Sequence, residues 1–159
     1  MFESATRLLT VALTLVLRLG ISVHAQDDEP RTSQVQVDGM PTEVAEVMSR
    51  QLVAWNSTDL VGFMDGYWKS DSLRFVGGKG VTHGHRATLD RYIQGYPDAK
   101  AMGILTFVNE EWISLGSEAG WLLGSWHLEK EGSENAQGMY TLLWRKLDGQ
   151  WVIVADHSS

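Results

Sequence analysis

Three groups of residues have types and spacing that could do chemistry. The first is Tyr140 and Asp156, toward the outer ends of two strand-like runs joined by Asp148-Gly149. A carboxyl group shut into an aromatic-walled pocket has its charged form disfavoured by lost hydration, which lifts its pKa toward the range of a general base. A phenol beside it supplies a hydrogen bond to developing charge, as in isomerases and dehydratases. The competing reading puts Asp156 at a solvated rim with Tyr140 merely as its hydrogen-bond partner. The second group is His83-Gly84-His85, with His127 far along the chain. Alternate strand residues share a face, so the histidines invite a metal. Gly84 ends the strand, however, and no carboxylate stands at helpful spacing, so no metal is expected and His83 is kept as a lone pocket acid or base. The third, Gly77-Gly78-Lys79-Gly80, lacks both the spacing and the Ser/Thr of a phosphate loop and joins two strands. It reads as a turn. No cofactor is called for, and Ser158 beside His157 alternates onto the opposite face, so no Ser–His–acid set arises.

Composition narrows the field. The chain has 159 residues, enough for one domain, and no cysteine, which excludes disulfides, thiolate nucleophiles and cysteine-ligated metals. Its net charge of −7, with no Lys/Arg cluster, argues against nucleic acid and against anionic membrane surfaces as partners. Seven tryptophans imply an aromatic interior, an aromatic surface patch, or both. Arg7, the apolar run Leu8–Leu17 and the small residues of Val23-His24-Ala25 before a polar stretch have the layout of a secretory signal over residues 1–25. The run is too short to span a membrane, so the mature chain is expected to be exported, periplasmic or extracellular, with no membrane span. Translation from Met40 is the alternative and would leave the protein cytoplasmic.

The elements that must position these residues can be read in order. Residues 26–41 carry charge, Gly39 and Pro41 without periodicity and read as a linker. A helix is expected from Thr42 as N-cap, with Val44, Val47, Met48, Leu52 and Trp55 on one face. Asn56–Asp59 breaks it and starts a second helix through Leu60, Phe63, Met64 and Tyr67. Leu73–Val76 and Val81–His83 form a short hairpin, and a third helix carries Leu89, Tyr92, Ile93 and Tyr96 up to Pro97. Four long strands follow: Ile104–Leu115, Trp121–Lys130, Met139–Leu147 and Trp151–Ser158. Helices first and a meander last give an α+β domain over 42–159. The turn at Asp148-Gly149 admits two registers. A two-residue type I′ turn pairs Tyr140 with His157, whereas a type I turn with a glycine bulge pairs Tyr140 with Asp156.

This order, together with the closing run Tyr140–Ser158, Tyr67-Trp68-Lys69-Ser70-Asp71, Leu89-Asp90-Arg91-Tyr92 and Tyr96-Pro97-Asp98 through Met102-Gly103, resembles the nuclear transport factor 2-like superfamily. More narrowly it is similar to a SnoaL-like branch of unknown function and to the calmodulin-dependent kinase II association domain. The resemblance covers about residues 42–158. It implies a cone-shaped, curved antiparallel sheet wrapped around three helices, a pocket at the open end, and often a homodimer. It also favours the second register, pairing Leu142 with Val154 and Trp144 with Val152. Tyr140, Asp156, Leu142, Val154 and Trp126 then face the pocket, Tyr67 or Trp68 and Tyr92 or Tyr96 close its walls, and Trp151 and His157 face outward. The inward arginines of the association domain fall on Leu142 and Ser158 here, so its acidic-ligand chemistry does not carry over.

The reading that follows is an exported pocket protein for a small apolar or weakly polar molecule, a homodimer by what the resemblance implies. The alternative is an isomerase, dehydratase or hydrolase using Asp156 as base with Tyr140 or His83. A second alternative is a homo-oligomeric assembly module whose outward residues matter more than its pocket.

Overall fold

The computed structural model describes residues 33–159. The expected leader and residues 26–32 of the expected linker lie outside the described residues. Helix α1 (Thr42–Asn56) starts behind Pro41, whose fixed φ of −58° presets the helical entry, so Pro41 rather than Thr42 takes the N-cap place. Its buried face is Val44, Val47, Met48, Gln51 and Trp55 at three- and four-residue steps. Helix α2 (Leu60–Met64) is capped by Asp59, whose carboxylate accepts from the Gly62 N–H at 2.8 Å. It ends before Tyr67, earlier than expected, because the chain turns to run beside the sheet.

Strands β1 (Arg74–Gly77) and β2 (Gly80–His83) form the short hairpin, and α3 (His85–Gly95) follows. A fourth, one-turn helix, α4 (Ala99–Met102), was not expected; Asp98 caps it through the Ala101 N–H at 2.8 Å. Gly103, at φ 65°, then turns the chain into β3 (Ile104–Ser114), in a position where any side chain would strike the Glu129 carbonyl. Strands β4 (Ala119–Glu129), β5 (Ala136–Leu147) and β6 (Gln150–Ser158) complete the meander.

The six strands make one curved, unclosed sheet in the order β2-β1-β6-β5-β4-β3. Only the β1–β6 pairing is parallel; the rest are antiparallel. Helix α1 lies against β3 and β6. Met48, Met64, Leu122, Trp144 and Ile153 are fully enclosed in the core. This is the α+β architecture expected from the order of elements. Residues 33–41, within the expected linker, run alongside β3: the Gln34 N–H donates to the Phe107 carbonyl and the Asn109 N–H to the Gln34 carbonyl, each at 2.8 Å. Met40 is buried. Among the described residues no helix is long and apolar enough to cross a membrane.

The β5–β6 hairpin follows neither expected register throughout. Asp148 and Gly149 have φ of 49° and 79°, and Leu147 faces Gln150, which is the two-residue turn with both central residues left-handed. Trp144 then faces Ile153, but Leu143 faces Ala155, so Val154 is one extra residue. Beyond this bulge Leu142 faces Asp156 and Tyr140 faces Ser158. The preferred pairing of Tyr140 with Asp156, Leu142 with Val154 and Trp144 with Val152 is therefore corrected. Trp151, expected outward, is buried and meets Trp112 edge-on at 6.0 Å between ring centres. The Trp112 ring in turn occupies the space above Gly120, where any β-carbon would collide with it.

Candidate functional site

A cavity of about 910 Å³ lies between the helices and the inner face of the sheet. One wall is aromatic and comes from α1, α2 and α3. Trp55 stands edge-on to Phe63 at 5.1 Å and to Tyr96 at 4.8 Å, and Phe63 meets Tyr92 at 5.3 Å. Such edge-to-face contacts set ring directions as well as burying area, so this wall is laid out before any ligand arrives. The facing wall comes from alternating strand residues, including Leu105, Phe107, Trp126, Tyr140 and Leu142. The indole N–H groups of Trp55 and Trp126 on these walls, and of Trp144 in the core, are buried without an acceptor among the described residues.

The buried carboxyl of this interior is Asp156, 3% exposed. Two devices bring it there. The bulge at Val154 turns Asp156 onto the same face as Ile153. Meanwhile the chain after α2 pairs with β6, the Ile153 N–H donating to the Gly66 carbonyl at 3.0 Å and the Trp68 N–H to the Ile153 carbonyl at 2.9 Å. This bridge sets Tyr67 beside the carboxyl. The Tyr67 hydroxyl donates to Oδ2 of Asp156 at 2.7 Å, and the Ser158 hydroxyl donates to Oδ1 at 2.7 Å. Gly66 also lets this segment pack close to α1, since a β-carbon there would stand 2.7 Å from the Gln51 amide.

Burial raises the pKa of Asp156 to about 6, while the hydrogen bonds from Tyr67 and Ser158 and the charges of His157 and Arg91 pull it down. Burial also holds the Tyr67 phenol well above its ordinary value, with the Asp156 charge and Tyr92 adding to it. Tyr92 is raised chiefly by burial and then by Asp156. These phenols stay protonated, so they serve as donors and not as bases. Each oxygen of Asp156 accepts one bond from the protein and keeps a further acceptor position. A carboxylate of this kind can take a proton or a hydrogen bond from a molecule in the cavity.

Tyr140 lines the cavity but makes no hydrogen bond to Asp156. Its hydroxyl donates to Oδ1 of Asn109, whose amide nitrogen donates to the Val35 carbonyl at 2.6 Å. The expected Asp156–Tyr140 pair is thus replaced by Asp156–Tyr67, because the bulge sets Ser158, not Asp156, opposite Tyr140. Burial, the Asp156 charge and Glu110 raise the Tyr140 phenol. Tyr67, Tyr92, Trp126 and Leu142 lie on the lining as expected. Three candidates do not. His83 is exposed on the edge strand β2 opposite Arg74, Trp68 follows Tyr67 onto the other face, and Val154 is the bulge residue. Among the described residues no three His, Cys, Asp or Glu side chains gather to hold a metal. Asn109 and Gln51 were missed, although each is a polar residue at an inward step of an otherwise apolar series, and that was a legible signal.

Neither a protein-family model nor a curated protein matches this chain. Solved structures do. An NTF-2-like protein of unknown function from Shewanella oneidensis MR-1 is 36% identical, covers 76% of this chain and 99% of its own, and superposes with a TM-score of 0.71. The chain belongs to the nuclear transport factor 2-like superfamily. More distantly similar solved structures share the fold of this NTF2-like protein. A ketosteroid isomerase-like protein from Erwinia carotovora atroseptica is 15% identical over 77% of this chain and 97% of its own, with a TM-score of 0.58. A putative calcium/calmodulin-dependent protein kinase II association domain from Xanthomonas campestris is 18% identical over 80% and 92%, with a TM-score of 0.60.

Proposed function

We propose that this NTF2-like protein binds a small, largely apolar molecule in its aromatic cavity and engages it through Asp156. The observation that carries the reading is a buried carboxyl, fixed by Tyr67 and Ser158, on the wall of a cavity that also presents Trp55, Phe63, Tyr92, Phe107 and Trp126. A cavity of about 910 Å³ is at the upper end of the usual range for small-molecule sites. The test is titration with neutral N-phenyl-1-naphthylamine, following its emission and the quenching of the protein's tryptophans. One saturable site per chain is expected. Absence of saturable binding by this probe and by other neutral aromatics of its size would overturn the reading.

A second reading is an acid–base enzyme with Asp156 as base and Tyr67 as its polar partner, in place of the expected Tyr140. The pKa of about 6 favours it, because such a carboxylate is ionised near neutrality yet still basic enough to accept a proton. Turnover lost in Asp156→Asn with unchanged folding would select this reading over binding alone. Export through residues 1–25 and homodimerisation remain part of the proposal. The first is supported by the apolar run before Val23-His24-Ala25, the second by the exposed Ile104, Ile113 and Met139 and by the association-domain description of the Xanthomonas protein. Cell fractionation and light scattering test them respectively.

A further inference from the structure

We propose that the ligand of this cavity carries an anionic group of the carboxylate or sulfonate class, received at the cavity mouth by Arg91 while its apolar body fills the aromatic interior. The proposal rests on the cavity-binding reading above and adds the chemistry of one end of the ligand.

Arg91, on α3, lines the cavity and is half-buried. Its guanidinium lies over the Phe75 ring at 4.9 Å, yet it makes neither an ion pair nor a hydrogen bond among the described residues. Arginine offers five donors in a planar fork that matches a carboxylate or sulfonate. A half-buried guanidinium with all of them unused is a group arranged for an external acceptor. It rests against β1 in space that a side chain at residue 77 would contest, since a β-carbon at Gly77 would stand 2.7 Å from Nη2.

Two further cations reach the same opening from other elements. Lys79 comes from the β1–β2 turn and Lys130 from the end of β4, its ammonium 5.8 Å from the Tyr96 ring centre. Neither has an ion-pair partner among the described residues. The lining carries two carboxylates, but Asp156 is deep and Asp90 is engaged by Nε of Arg86 at 3.0 and 3.1 Å. Three unpaired positive charges therefore rim the cavity of a chain whose net charge is −7. Local charge opposite to that of the whole molecule concentrates anions at one place on its surface. Arg91 also lowers the pKa of Asp156, which agrees with their sharing one cavity.

The test compares two probes with the same body, neutral N-phenyl-1-naphthylamine and its sulfonated counterpart 8-anilinonaphthalene-1-sulfonate, on the full chain and on Arg91→Gln, with circular dichroism as the folding control. The sulfonate is expected to bind about tenfold more tightly than the neutral probe, with an affinity that falls as salt rises. Arg91→Gln should weaken the sulfonate about tenfold and leave the neutral probe within twofold. Equal affinities, or an Arg91→Gln variant that weakens both probes alike or neither, overturn the anionic end while leaving the cavity reading intact. Binding of neither probe overturns the cavity reading, and the anionic end falls with it. Should Arg91→Gln not fold, Lys79→Gln with Lys130→Gln replaces it, with a threefold or greater loss of the sulfonate alone expected.

Discussion

Replacing Asp156 by asparagine tests whether a carboxyl is really held out of water in this fold. In the unfolded chain Asp156 ionises near 3.8, and in the folded protein near 6. Between those values the folded state holds a proton that the unfolded state has lost, so stability falls as pH rises through the window. Below about pH 3.8 both states are protonated and the effect vanishes; above about pH 6 both are ionised and the cost is complete. At 1.36 kcal/mol for each pK unit, ionisation in the folded state costs about 3 kcal/mol more than in the unfolded chain, of which about 2.5 kcal/mol falls between pH 4 and pH 8. Asparagine keeps the shape and the acceptor for Tyr67 but does not titrate. The difference in unfolding free energy between the two proteins should therefore move in favour of Asp156→Asn by about 2.5 kcal/mol from pH 4 to pH 8. Carboxylates elsewhere titrate alike in both proteins and cancel. Urea unfolding at five pH values measures it, since a slope of about 1–3 kcal/mol per molar urea turns this change into a midpoint shift of about 1 M or more. A difference that stays flat within about 0.5 kcal/mol across that range refutes the reasoning.

Tyr67→Phe removes a hydrogen bond that favours the charged carboxylate, so the Asp156 pKa should rise above its present value of about 6 and stability at pH 8 should fall by about 1.5–3 kcal/mol; a carboxyl-carbon NMR titration and urea melts report both. Asn109→Ala strips the Tyr140 hydroxyl of its acceptor and frees the Val35 carbonyl, at a cost of about 1–3 kcal/mol. Amide exchange should quicken at residues 33–37 before it quickens in β5 or β6. Gly124→Ala drives a β-carbon into the Tyr140 ring and should destabilise the protein by about 1–3 kcal/mol, seen as a lowered melting temperature. An unchanged melting temperature would mean that Tyr140 has room to withdraw.

The order and type of the long elements were legible because their periods were. Val44, Val47, Met48 and Trp55 mark α1 at helical steps, and Leu122, Gly124 and Trp126 mark the inward face of β4 at steps of two. Tyr140, Leu142 and Trp144 were likewise placed on the inner face. The other half of the hairpin was not, because the sequence around Val154 carries no glycine or polar signal of an irregularity, and one extra residue exchanges the faces of all that follows. That hidden step led to Val154 being assigned to the cavity and Trp151 to the surface. The partnership of Tyr67 with Asp156 spans 89 positions and rests on a backbone bridge to Ile153 that no local pattern announces. Arg91 lay unremarked inside the stretch Leu89–Tyr92, since its place over the Phe75 ring, on another element, has no local signal.

The irregularity at Val154 also bears on how this strand can be matched with those of relatives. Toward the turn, residue numbers that sum to 297 stand opposite one another; beyond Val154, those that sum to 298 do. An alignment carried across that point without a gap would equate Asp156 with a residue on the other side of a regular strand, and a shared carboxyl would pass for a substitution. Conversely, a relative lacking one residue here could keep its acid in the cavity with a perfectly even ladder. Deleting Val154 should therefore be better tolerated than deleting Ala155 and Asp156 together, and comparisons of the site are best anchored on the tail Asp156–Ser158 and on Phe75, its neighbour across the parallel pairing, than on the turn.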